Sequence, residues 1–489
     1  MLNHFRLCVS RVVCATTVFS FLFAAVVFAA NPVPTVTAPV HPQAVVPGSG
    51  ALTLTVYGAN FVSGAVVNWN GSPRSTTFVS ARELQARILA ADVAKPTAGY
   101  ITVTNPAPGG GPSSSSYAIL EVHEPTATIV PGQPHYYELG FDLIDYLTAA
   151  DFNGDGKLDL LGGAGSGKIY LFTGNGDGKF VPTIVGRRFY GNGCDYMNTL
   201  AFGDFNNDGN LDFVFPAGGR QPPISTEVRL SNGDGTFRTS WHFGKYITCP
   251  DFVVGDFNGD GNLDLAAAVP TDAAVHIFLG NGDGTFRKGA SYGNLPSAFA
   301  PVVADFNGDG KLDLVVDTDG LSILLGNGDG TFHSPQKIIS SGQGLGCGFG
   351  MPVVVNDFNG DGKMDLAFCD VSTSQSQIGV LLGNGDGTFK KPVYYHAGTT
   401  STDWAFTAGD FTSDGKTDFI TWYFKDGFHN PTFAILKGNG DGTFQRQTAV
   451  SLPGNIEELG IVPGDFNSDG LLDFIMIPAA GGIQSYLQK

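Results

Sequence analysis

Charge is what this chain has least of. Of its 489 residues only 15% are Asp, Glu, Lys or Arg, against about a quarter in an ordinary soluble protein. Basic residues are the scarcer kind, 27 against 45 acids, which gives a formal net charge of −18. A nucleic-acid partner needs a basic stripe to neutralise phosphates, and this balance argues against one. Cysteine is sparse too, 6 in all, and none has the paired short spacing of a zinc site. Beyond residue 29 no apolar run is long enough to cross a membrane. Wholesale disorder is excluded from the other side, since 42% of the residues are hydrophobic. The excess lies in glycine, with 68 residues, about twice the usual share.

The first 29 residues carry Arg6 and Arg11, an apolar run from Val12 to Phe28, and small residues Val27 and Ala29 before a cut. That pattern predicts a cleaved signal peptide, a mature start near Ala30 and a secreted or cell-surface protein. An uncleaved anchor is the alternative reading, because the run approaches spanning length. Four cysteines remain after the cut, Cys194, Cys249, Cys347 and Cys369, and four allow three connectivities. Placement favours Cys194–Cys249, at comparable positions of adjacent units, and Cys347–Cys369, flanking one hairpin.

Residues 32–122 alternate as half-buried strands do: Leu52, Leu54 and Val56 interleave with Thr, and Val67 and Trp69 precede the turn pair Asn70-Gly71. Short runs of this kind between turn residues predict a β-sandwich. The stretch from Tyr57 to Gly64, then Val66 to Gly71, with Thr102 to Pro106 and the loop Gly109 to Pro112, resembles an IPT/TIG immunoglobulin-like domain. The resemblance implies a spacer or binding module of an exported protein.

From about residue 123 to 489 the chain is periodic. An Asp-x-Asn-x-Asp-Gly-x-x-Asp pattern begins at Asp151, Asp204, Asp256, Asp305, Asp357, Asp410 and Asp465, at intervals of 49 to 55 residues. A period near fifty means propellers, solenoids or arrays, and each unit reads as four short strands, which selects a propeller. Small residues such as Ala304 and Gly255 just before the first Asp suit an innermost strand. A second turn, Gly326 to Phe332 in the fourth unit, recurs in six units, with Lys179 for Thr in the first and Ser231 for Gly in the second. Its Asn-Gly-Asp-Gly core predicts a plain hairpin turn. The seventh unit lacks it, and a strand-like segment at 127–137 precedes the first inner strand. The expectation is an all-β chain: a seven-bladed β-propeller, closed by residues 127–137 as the outer strand of the last blade, behind an immunoglobulin-like β-sandwich.

The loops offer oxygen. Side chains at positions one, three, five and nine, with the carbonyl of position seven, make a hard-cation donor set, and glycine at position six permits the sharp turn. In order these are Asp151, Asn153, Asp155, Lys157 and Asp159; Asp204, Asn206, Asp208, Asn210 and Asp212; Asp256, Asn258, Asp260, Asn262 and Asp264; Asp305, Asn307, Asp309, Lys311 and Asp313. Then come Asp357, Asn359, Asp361, Lys363 and Asp365; Asp410, Thr412, Asp414, Lys416 and Asp418; Asp465, Asn467, Asp469, Leu471 and Asp473. Residues twelve are Gly162, Ala267 and Val316 in the first, third and fourth loops, so the Glu of an EF-hand is missing. Two carboxylates about 4 Å apart repel by about 4 kcal/mol at an effective dielectric of 20, which argues for Ca²⁺, up to seven, over turn-making alone. Thr412 makes the sixth loop the poorest donor set.

These loops and their spacing are similar to the FG-GAP/VCBS-type repeats of integrin α-chain propellers and many exported bacterial proteins. The resemblance implies Ca²⁺ at positions one, three, five, seven and nine of each loop. The Phe-Gly and Gly-Ala-Pro elements that name the repeat are eroded here, Gly163-Ala164 being a trace, so integrin-like ligand recognition does not follow.

Strand parity places the acidic loops and the second turns on one face. The irregular connections, 186–198 with Arg187, Arg188, Tyr190 and Tyr196, then 218–226, 244–250, 342–351, 396–404 and 425–431, share the other. Repetitive loops read as scaffold and irregular ones as recognition. Gly162 to Lys168 resembles a phosphate loop, but Ile169 stands where Ser or Thr is required and no helix follows. No catalytic constellation is recognised. The expectation is a non-catalytic binding or adhesion module for a glycan or protein, on the face opposite the calcium loops. The alternatives are a lyase-like polysaccharide enzyme, for which Arg187, Arg188, His396 and His429 are loose candidates, and a structural surface spacer.

Overall fold

A computed structural model describes residues 30–113, 117–140, 142–187, 200–216, 226–243, 250–318, 320–339, 353–370, 377–397, 404–426, 429–452, 458–478 and 481–489. The expected signal peptide, Arg188, three of the four cysteines in question (Cys194, Cys249 and Cys347) and most of the irregular connections lie outside them. Cys369 is disulfide-bonded.

The amino-terminal segment is a two-sheet sandwich. One sheet runs Thr35–His41, Leu52–Ala59, Glu83–Ile88, Thr76–Ser80; the other Ala44–Val45, Ala118–Val122, Thr97–Asn105, Val66–Trp69, Ser72–Pro73, with Gly111–Pro112 beside Thr97–Asn105. Alternation does the work: Leu54, Val56, Leu84 and Ile88 from one sheet meet Val67, Trp69, Ile101, Val103 and Leu120 from the other in a shared core. Trp69 pairs with Ser72 across Asn70-Gly71, both at positive φ (47° and 75°), the backbone a two-residue hairpin requires.

The described residues of the rest form seven four-stranded antiparallel sheets of propeller-like construction. Sheet one is Ile144–Ala150, Asp159–Ala164, Lys168–Gly174 and Phe180–Arg187. Sheets two to six repeat this meander over residues 201–243, 251–292, 299–337, 354–396 and 404–450. Sheet seven takes three strands from the end of the chain, Glu458–Gly464, Asp473–Pro478 and Ile483–Tyr486, and its fourth, His135–Tyr137, from before sheet one. His135 pairs with Ser485, and a single bridge joins Pro131 to Gln488. The ladder is shorter than the segment 127–137, because Pro131 and Pro134 bring no N–H to it.

Second strands such as Asp264–Val269 are buried along their whole length. They lie between two neighbouring sheets, so both faces must be apolar or small, and the usual in-out alternation vanishes. Hydrophobic clusters link every consecutive pair. Leu161 meets Phe213 between sheets one and two, and Val228 meets Leu265 between two and three. Val316 and Val275, Val315 and Leu366, Ala367 and Phe419, and Ile420 and Phe474 continue the series. Ile475 then meets Leu160, which brings sheet seven against sheet one. Among the described residues no helix is long and apolar enough to cross a membrane.

Candidate metal centres

Each acidic loop joins the first strand of a sheet to its second. In the third loop Asp256 accepts N–H bonds from Gly259 (Oδ1, 2.7 Å) and Gly261 (Oδ2, 2.9 Å). Asn258 accepts from the Asp260 N–H at 2.8 Å, and Asp260 from the Asn262 N–H at 2.9 Å. Asp264, at position nine, is wholly buried and ties the loop to the sheet: Oδ2 accepts from the Phe257 N–H and Oδ1 from the Gly280 N–H. Asp159, Asp212, Asp313, Asp365 and Asp473 make the same two kinds of bond. Among the described residues the acids do not converge as a set of three on one point; the amides of the loop hold them.

Burial dominates the electrostatics of this arrangement. Burial pushes the position-nine carboxyls up, to about 6 for Asp159, about 7 for Asp212, Asp313, Asp365 and Asp418, about 8 for Asp264 and about 9 for Asp473. At position one, burial raises Asp256 and Asp465 to about 6 and Asp410 to about 8. Within these loops Asp357 goes the other way: burial raises it, but His41 and the Gly362 N–H outweigh that and hold it low. An all-oxygen, carboxylate-rich donor set, buried at position nine and half-buried or buried at position one, has the chemistry of a hard divalent cation's ligands. Lys157, Lys311, Lys363 and Lys416 only pair with the neighbouring position-five acid at 3.4–3.6 Å, exposed, where an ion pair contributes little.

The sixth loop differs. The Thr412 hydroxyl donates to Asp418 Oδ2 at 3.0 Å, and Ser413 donates to Glu121 of the sandwich at 2.8 Å. Sequence reasoning missed such contacts, because the sandwich sits on the acidic-loop face. Val33 N–H bonds Asp256 Oδ2 (2.8 Å), His41 Nε2 lies 3.3 Å from Asp357 Oδ2, and Arg82 donates to the Gly362 carbonyl (2.6 Å). The Tyr100 hydroxyl donates to the Asp465 carbonyl at 2.9 Å.

The second turns share that face and do more than reverse the chain. Gly284 N–H bonds the Phe205 carbonyl, Gly330 that of Phe257, Gly387 that of Phe306 and Gly442 that of Phe358, each in the acidic loop of the preceding sheet. Gly178 of sheet one reaches Phe466 of sheet seven in the same way.

Of the lyase candidates, Arg188 lies outside the described residues. Arg187 ends the outer strand of sheet one, His396 the outer strand of sheet five, and His429 opens a strand of sheet six. Lys168 of the phosphate-loop lookalike follows a tight turn and bonds Asp142 Oδ2 at 2.7 Å. His276 touches Ser291 Oγ at 2.8 Å and Asp272 Oδ2 at 3.1 Å, but it is the cross-strand partner of Ser291 in sheet three, which accounts for the contact.

Seven consecutive sheets among the described residues, each with a nine-residue acidic loop between its first and second strands, define a repeat protein of propeller-like construction. The FG-GAP-like repeat pattern matches residues 151–215, 256–316, 305–368, 357–421 and 427–476, more than half of the chain, and the chain belongs to that family. No curated protein matches it. Similar solved structures include an auxiliary nutrient binding protein from Bacteroides ovatus, at 12% identity over 94% of this chain and 98% of that one, TM-score 0.41. A putative phosphatase from Bacteroides thetaiotaomicron is 14% identical over 94% and 97%, TM-score 0.40. AofleA from Arthrobotrys oligospora, as a triple arginine mutant, is 14% identical over 66% and 91%, TM-score 0.41.

Proposed function

We propose that the chain is an exported, calcium-binding, closed seven-bladed β-propeller behind an IPT/TIG immunoglobulin-like domain, and that it is a non-catalytic binding or adhesion module. Asp, Asn or Thr at positions one, three, five and nine, with the position-seven carbonyls, hold Ca²⁺, which adds positive charge beside carboxyl groups whose charged form burial disfavours. The observation that carries the binding role is the division of faces. The sandwich and the repetitive turns occupy the acidic-loop side, and strand parity assigns the irregular connections, most of them outside the described residues, to the opposite side, where they would meet a glycan or protein. A glycan array with and without chelator, beside a lyase assay on acidic polysaccharides, tests this. Binding that is lost when the irregular connections are replaced supports it; unsaturated sugar products overturn it in favour of an enzyme.

A further inference from the structure

We propose that cation binding in the acidic loops and seating of the sandwich are coupled, and that Glu121 is the positioning residue that couples them at the sixth loop. The proposal rests on the calcium reading above. Seating is close at position six of loops three, four, five and seven. A Cβ added to Gly261, at position six of loop three, would lie 2.7 Å from the Asn31 carbonyl oxygen, and one on Gly470 of loop seven 2.7 Å from that of Val122. The same position in loops one, two and six is open. The sandwich therefore rests on the turns that a cation would order.

Loop six is where an acidic side chain of the sandwich enters the contact. Glu121 lies in Ala118–Val122, is 3% exposed, and accepts the Ser413 hydroxyl at 2.8 Å. The charges that bear on it most are carboxylates, Asp410 and Asp418 of loop six and Asp465 of loop seven. The Gln43 side chain accepts from Thr417, and the Thr126 N–H bonds the Thr412 carbonyl, so the same loop is gripped from both sides of Glu121. Without a cation, seating the sandwich buries a further carboxyl group beside two others, an arrangement that disfavours its charged form; with one, the ionised carboxylate becomes an attraction. Coupling of this kind is reciprocal: whatever the cation adds to seating, seating adds to cation affinity. Loop five is set differently, since His41 itself faces Asp357, so that contact stands without a cation.

The test uses the full chain. Backbone hydrogen exchange at 118–126 and 410–418 is followed in Ca²⁺ and in chelator, for the wild type and Glu121→Gln, with Ca²⁺ calorimetry on both. Chelation is expected to speed exchange at 118–126 about tenfold in the wild type and less than about twofold in the variant, whose amide still accepts from Ser413. One Ca²⁺ site is expected to weaken in the variant by about the same factor, an effect that a merely structural Glu121 would not produce. Ca²⁺ uptake with unchanged exchange at 118–126, or a variant with wild-type Ca²⁺ dependence, overturns the coupling and leaves the calcium reading intact. No Ca²⁺ uptake by the wild type overturns the calcium reading itself.

Discussion

At the scale of single residues, the aspartate at position nine has two tasks. It belongs to the expected donor set, and it satisfies two buried N–H groups that nothing else serves as directly. Replacing Asp264 by Ala strands the Phe257 and Gly280 N–H groups, a loss of about 2–6 kcal/mol if each unsatisfied donor costs about 1–3. Measuring the denaturant midpoint in chelator isolates this from any cation effect. The same residues set a pH dependence. Their folded values, about 6 to about 9, lie above the ordinary 3.8, so between these limits the unfolded chain releases protons that the folded chain keeps. The part of cation-free stability that these carboxyls contribute is therefore full below about pH 4 and declines as pH rises through 6 to 9. A chelated sample should melt higher at pH 5 than at pH 8, and saturating Ca²⁺ should reverse that order. The nine-residue pattern was legible because seven copies fix the offsets. Glu121 and His41 were not, because each is a lone polar residue in a different segment, and only docking brings them to loops some 300 residues further on.

At the scale of elements, the repeat couples neighbours through phenylalanine. The Phe after the second turn meets the Phe at position two of the preceding sheet's loop: Phe332 with Phe257 at 5.5 Å, Phe286 with Phe205 at 5.4 Å, Phe444 with Phe358 at 5.8 Å. Phe180 meets Phe466 at 5.6 Å across the two ends of the series. Most are edge-to-face, the arrangement the ring quadrupole favours. Phe332→Ala should cost about 3–5 kcal/mol, whereas Phe78→Ala, on an exposed strand of the sandwich, should cost less than about 1 kcal/mol; urea titrations of both give the comparison. Four strands per repeat could be read from turn spacing. The aromatic contacts and the hydrogen bonds of the second turns could not, since a hairpin turn and an inter-sheet clasp have the same local sequence.

At the scale of the molecule, the charge deficit and the loops belong together. Without Arg6 and Arg11 the net charge goes from −18 to −20, and the seven loops, with three acids in six of them at positions one, five and nine and the same three in the sixth, hold 21 of the 45 acids. Seven Ca²⁺ would bring the net to about −6, within the ordinary range for a soluble surface. Chelation should lower the melting temperature, because a ligand bound only by the folded chain must stabilise it; an unmoved melting curve would sink structural calcium. Truncation before Ile483 should leave Asp473–Pro478 as a bare edge and strip its partner from His135–Tyr137. Size-exclusion chromatography should then show oligomers, the usual fate of an unpaired edge.

The strand that completes sheet seven has a consequence for how the molecule is made. Residues 135–137 leave the ribosome before sheets one to six, yet their partners, 483–485, emerge after all six. Sheets one to six can each form from contiguous chain as synthesis proceeds, and neighbours can stack as they appear. The last sheet must wait, holding its outer strand in reserve across almost 350 residues of growing chain. Until that pairing is made, the nascent protein has two open ends with matching surfaces, and two nascent chains close together could satisfy one another instead of themselves.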